Sequence, residues 1–89
     1  MSADAKIEEL GLELPTAPKP GGVYTPLVIV DGFVYVSGHG PLKPDGTMIT
    51  GRVGDTITEE DGHEAARQTG LAILATLKAQ LGSLDRIER

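Results

Sequence analysis

The chain has no cysteine and no tryptophan. The first absence rules out disulfides and thiolate metal sites. Its aromatics are Tyr24, Phe33 and Tyr35, so any core must be built from Val, Ile, Leu and Ala. The two histidines are His39 and His63, and a metal site would need carboxylates for most of its ligands. No metal and no cofactor are expected. Basic residues are also scarce: eight Lys and Arg stand against thirteen Asp and Glu, for a net charge of −5. They are scattered along the chain, which argues against the clustered positive surface that nucleic-acid backbones require. No apolar leader follows Met1 and no apolar run approaches the length of a bilayer span. A cytoplasmic location without a membrane partner is the expectation. With 89 residues there is room for one small domain, which buries only about two-thirds of the surface its unfolded chain exposes.

What is present falls into four parts of a single domain, 1–89. Residues 1–22 read as a short helix and a connector. Ser2 is placed to cap a helix running to Leu10, Gly11 to stop it, and the Pro- and Gly-rich stretch 15–22 to run extended. Residues 23–57 read as a β-hairpin and a third strand. Tyr24 to Val30 and Phe33 to Ser37 flank Asp31-Gly32, a strong type I′ turn signal. Consecutive apolar residues in both runs point to a sheet covered on both faces. The third strand is expected over Thr47 to Val53. Residues 58–82 read as a long helix, with Thr58 three residues ahead of Asp61 as a capping box and Gly82 as the stop. Its apolar stripe is expected at Ala66, Gly70, Ile73, Leu74, Leu77 and Leu81. Residues 83–89 turn and begin another strand at Ile87. Three strands and one helix leave a face uncovered, which implies an oligomer or a longer polypeptide.

Chemistry concentrates in one place. Ser37 ends the second strand in Val36-Ser37-Gly38-His39-Gly40, where a hydroxyl stands beside amides that glycine lets a ligand approach. The same serine equally suits an ordinary strand-ending turn. A nucleophile elbow is excluded, since Tyr35 occupies the position where that motif needs glycine. Gly38-His39-Gly40 is no phosphate loop, because no Lys-Ser/Thr pair follows. Tyr24 offers a hydroxyl at the start of the first run, although a half-buried strand tyrosine is the commoner case. His63 sits among Glu60, Asp61 and Glu64 and reads as solvated.

Taken in order, Gly22-Val23-Tyr24-Thr25-Pro26, Gly32 through Pro41, Glu64-Ala65-Ala66-Arg67-Gln68 and Leu81-Gly82-Ser83-Leu84-Asp85-Arg86-Ile87 resemble the RidA/YjgF/UK114 family. These are the reactive intermediate deaminases, with the older label endoribonuclease L-PSP. The likeness runs from about Ile7 to Arg89. The His-Gly-Pro after the serine and the N-terminal helix look more like an atypical branch. The resemblance implies an α+β, chorismate-mutase-like fold, a mixed sheet packed on a long helix, here truncated after that helix. It also implies a homotrimer with ligand clefts between subunits. Members of the deaminase type hydrolyse enamines and imines such as 2-aminoacrylate to 2-keto acids and ammonia. By position, Tyr24 matches the tyrosine that lines the cleft, and Ser37 and Gly38 match the pair that contacts substrate. His39 stands where many members have glutamine and completes the expected substrate-binding set. No catalytic group is assigned, since the family's carboxylate-binding arginine and its acidic residue would lie beyond Arg89. The alternatives are a non-catalytic trimer that binds metabolites or partner proteins and, weakest, a ribonuclease acting as a translation inhibitor.

Overall fold

The computed structural model describes residues 2–20 and 22–89. Gly21, part of the expected connector, lies outside the described residues. The elements follow in the order α1 (Ala3–Glu9), β1 (Leu27–Val30), β2 (Phe33–Val36), α2 (Glu59–Leu81) and a short 3-10 turn at Leu84–Arg86. The architecture is α+β, with a two-stranded antiparallel sheet beside one long helix.

The hairpin forms where its turn chemistry demands. Asp31 at φ 50° and Gly32 at φ 80° both occupy the left-handed region that a type I′ turn requires. The register pairs Leu27 with Val36, Val28 with Tyr35, Ile29 with Val34 and Val30 with Phe33. Alternation therefore places Leu27, Ile29, Val34 and Val36 on one face and Val28, Val30, Phe33 and Tyr35 on the other. The first strand begins three residues later than expected, at Leu27, because Pro26 brings no N–H to the ladder. Pro26 still accepts the Ser37 N–H through its carbonyl, at 2.9 Å.

Two expected strands do not form among the described residues. Thr47 to Val53 makes only isolated bridges, Leu42 with Met48 and Val53 with Ile57. Local polar bonds capture that backbone instead. Asp45 accepts from both the hydroxyl and the N–H of Thr47, and the Thr56 hydroxyl accepts the Arg52 N–H. Gly51, at φ 136°, breaks the run between them. Ile87 has extended backbone but joins no strand among the described residues; its N–H donates to the Leu84 carbonyl at 3.1 Å, closing the 3-10 turn that Ser83 caps.

The long helix starts and stops as its sequence dictates. Thr58 accepts the Asp61 N–H, Asp61 accepts the Thr58 N–H, and Gly82 closes the end at φ 84°. Its buried face is not the expected stripe. Gln68, Leu71, Ala72, Ala75 and Thr76 are buried, with Ala72 at 0% and Thr76 at 1% exposure. Ile73, Leu74 and Leu77 are only half-buried, Ala66 and Gly70 are exposed, and of the expected set Leu81 alone is buried. At about 3.6 residues per turn the two sets point in opposite directions. The helix is thus apolar on two faces, and the face of small residues is the one that takes the contact.

The described ends of the chain are locked together. Asp4, in the first turn of α1, accepts from the Ser83 hydroxyl and from the Leu84 N–H at 3.2 Å, while Asp85 accepts the Asp4 N–H at 3.0 Å. Each short helical turn caps the other. Leu84, 2% exposed, is sealed beneath this clasp.

Little else is enclosed. The chain exposes 6405 Å², against about 5,000 Å² for an average monomer of its mass. Val28, Val30, Phe33 and Tyr35 contribute, each at 47–68% exposure.

Two outcomes follow. Removing the helix cap with Thr58→Ala should cost about 1 kcal/mol in urea unfolding. The Ser83 hydroxyl, then the Leu84 N–H, hold the Asp4 carboxyl below its ordinary value of 3.8. A carboxyl lowered on folding stabilises the fold above its unfolded value, and that stability is lost as pH falls through the folded one. Asp4→Asn should therefore lower the urea midpoint at neutral pH, with the gap to wild type closing below about pH 3.8.

Candidate functional site

The end of the hairpin carries the candidate site. Ser37 leaves β2 with its hydroxyl donating to the Thr25 carbonyl at 2.7 Å, while its N–H bonds to Pro26. Both bonds tie the exit of β2 to the approach of β1, so Ser37 and Thr25 are held side by side. The hydroxyl proton is committed to a carbonyl, and the oxygen keeps its lone pairs to accept from a ligand. A cleft of about 280 Å³ opens here, lined by Tyr24, Thr25, Ser37 and Tyr35 with the aliphatic strand residues between them.

His39 is the strongest fixed point of the region. Its Nδ1 lies 2.8 Å from the Ser37 carbonyl and its Nε2 lies 2.7 Å from the Thr76 hydroxyl. A carbonyl only accepts, so Nδ1 carries the proton and donates. In the neutral ring Nε2 then accepts from Thr76. The buried Thr76 hydroxyl is thereby satisfied, and the loop after β2 is pinned to the middle of α2. Both ring nitrogens are occupied, so His39 offers a ligand the face of its ring. Neither nitrogen meets the Ser37 hydroxyl, so no serine–histidine catalytic pair is assembled.

The structure thus brings Tyr24, Ser37, Gly38 and His39 together around two adjoining clefts. Tyr24 and Ser37 line the first. Tyr24, Gly38 and His39 line the second, about 210 Å³, with Met48 and three prolines. A larger cleft of about 520 Å³ lies between the α1 connector and α2. It is aliphatic apart from Glu13 and Lys78, and none of the chemistry-bearing hairpin residues reaches it. His63 is exposed on the first turns of α2. Among the described residues no cluster of three His, Asp or Glu could hold a metal ion, and no helix is long and apolar enough to cross a membrane.

Sequence reasoning missed Thr76, whose signal was a hydroxyl residue inside an aliphatic helix. It also missed Gln68, whose Nε2 donates to Glu64 at 3.2 Å while its buried Oε1 has no partner among the described residues.

These elements define an α+β domain of the chorismate-mutase-like kind, and solved structures agree. The chain superposes with a TM-score of 0.92 and 31% identity on a "putative endoribonuclease" from Shewanella oneidensis, all of this chain matching 59% of that one. A protein of unknown function from Agrobacterium tumefaciens matches with a TM-score of 0.78 and 34% identity, over 96% of this chain and 52% of that one. Among curated proteins, Protein TCP17 of Trypanosoma cruzi is 35% identical over 85 residues, 96% of this chain and 53% of its own length. No protein-family model matches. Both solved structures support the resemblance to the RidA/YjgF family, and the chain spans between half and three-fifths of the length of these relatives.

The His39 bridge makes a specific claim. His39→Ala leaves the Thr76 hydroxyl buried without a partner, which should cost about 1–3 kcal/mol in urea unfolding. His39→Ala made together with Thr76→Val should cost less than the sum of the two single changes, read as a double-mutant cycle.

Proposed function

We propose that the Tyr24–Ser37 cleft belongs to an enamine/imine deaminase, which hydrolyses 2-aminoacrylate-type intermediates to 2-keto acids and ammonia. The observation that carries this reading is the Ser37 hydroxyl, held at 2.7 Å by the Thr25 carbonyl with its lone pairs open, beside Tyr24 in a cleft of metabolite size. The chemistry asks little of the protein. The enamine tautomerises to the imine, water adds to the C=N carbon, and the carbinolamine expels ammonia to leave the keto acid. Ser37 would accept a hydrogen bond from the imine N–H or the attacking water, and the Gly38 N–H would donate to an oxygen of the ligand. Orientation and polarisation of this sort lower the barrier without a covalent intermediate. The activity is proposed for the protein assembled as a homotrimer with clefts at its interfaces. Support for assembly comes from the exposed apolar face of Val28, Val30, Phe33 and Tyr35.

One observation favours a second reading, a non-catalytic trimer that binds a metabolite or a partner protein. The first cleft is lined by no carboxylate, histidine or lysine, and the Ser37 proton is already engaged. The ribonuclease reading, carried by the name of the Shewanella protein, suits this chain least, with its net charge of −5 and no basic stripe.

Keto acid release from enzymatically generated 2-aminoacrylate should exceed the spontaneous rate, and Ser37→Ala should lower the excess about tenfold, or about 1.4 kcal/mol. An unaccelerated reaction with saturable ligand binding would establish the second reading instead.

A further inference from the structure

The cleft of about 520 Å³ lies away from the hairpin, between the segment after α1 and the second half of α2. Leu12, Leu14 and Ala17 line it from the connector, and Ala75 and Ala79 from the helix. Both walls are held in place without a ligand. Pro15 is buried, and its ring fixes φ at about −65°. Upstream, Asp4 ties α1 to the turn after α2 through the Ser83 hydroxyl and the Leu84 N–H. Ordered walls have less conformational entropy to lose on binding.

Two charges of opposite sign stand in this aliphatic setting. Glu13 comes from the connector and Lys78 from α2. They are not paired with each other. Among the described residues neither side chain makes an ion pair or a hydrogen bond, whereas Lys6 is paired with Glu9 and Arg67 with Glu64. Lys78 does lower the Asp4 carboxyl through space, but both Asp4 oxygens already accept from Ser83 and Leu84. A cleft with one free acid and one free base is complementary to a ligand that carries both charges.

We propose that this cleft binds a short zwitterionic peptide with aliphatic side chains. The Glu13 carboxylate accepts from its terminal ammonium, and the Lys78 ammonium donates to its terminal carboxylate. Capture of free peptide termini is a recurrent mode of recognition. The volume, about 520 Å³, lies within the ~300–1,000 Å³ of drug-sized sites, which suits a dipeptide better than a single amino acid. Burial of its side chains against Leu12, Leu14, Ala75 and Ala79 supplies most of the affinity, since exposed ion pairs each add little. The charges select for free termini. This site needs neither Ser37 nor turnover, so it stands apart from the deaminase reading.

The test is an amide-resolved NMR titration with leucyl-leucine. The comparators are N-acetyl-leucyl-leucine, leucyl-leucinamide and glycyl-glycine. Leucyl-leucine should saturably shift the amides of Leu12 to Leu14 and of Ala75 to Ala79. Blocking either terminus should weaken binding about threefold, and glycyl-glycine should bind at least about tenfold more weakly. Glu13→Gln should weaken leucyl-leucine about threefold and leave the N-acetyl peptide unchanged; Lys78→Gln should do the same with the amide as the insensitive ligand. Both side chains are exposed, so neither substitution disturbs the core. Absence of saturable shifts, shifts confined to the hairpin end, or glycyl-glycine binding as tightly as leucyl-leucine would overturn the site. Variants that treat free and blocked peptides alike would overturn the roles of Glu13 and Lys78.

Discussion

The hydrogen bond between His39 and Thr76 organises the hairpin end of the molecule. It joins the loop after the hairpin to the middle of the long helix, two parts of the chain that have no other polar link among the described residues. A buried hydroxyl without a partner is costly, and an imidazole donating to one carbonyl while accepting from that hydroxyl satisfies all three groups at once. The orientation of Ser37 follows from this anchor, since the same ring holds the Ser37 carbonyl. So does the presentation of the Gly38 and Gly40 amides. The histidine here serves as a strut.

The remainder of the fold is held more lightly. Its enclosed core is Leu71, Ala72, Ala75, Leu81 and Leu84, small side chains that bury modest area. The radius of gyration, 14.1 Å, exceeds the roughly 12 Å of an average domain of this length. Apolar surface remains on the hairpin and on the Ile73–Leu77 side of the helix. The Asp4–Ser83–Asp85 clasp compensates locally, using charge-assisted bonds where hydrophobic area is short. In the solved neighbours the matched region is only 59% and 52% of the chain, so the same hairpin and helix occur there within a longer polypeptide.

Much of this was legible because local chemistry decided it. Asp31-Gly32 can hardly form anything but a tight hairpin turn, and Thr58, Asp61 and Gly82 bracket a helix whatever surrounds it. The third strand failed because propensity in Thr47–Val53 was weaker than the side-chain bonds of Asp45 and Thr56 to nearby backbone, which no hydrophobic pattern reveals. The helix face was misread because the larger aliphatic stripe looks like the core. Contact was settled instead by Thr76 meeting His39, a pairing across 37 positions. Tyr24, Ser37 and Gly38 were singled out by their order along the chain, and the structure gathers them at one end of the hairpin.

The arrangement of the His39 ring is the most direct test of this view of the site. Long-range proton–nitrogen NMR correlations of the imidazole, at a pH where the ring is neutral, distinguish its two tautomers. The geometry predicts the form protonated at Nδ1, with Nε2 accepting from Thr76. A ring protonated at Nε2, or one exchanging freely between both forms, would contradict the strut on which Ser37 and its neighbouring amides depend.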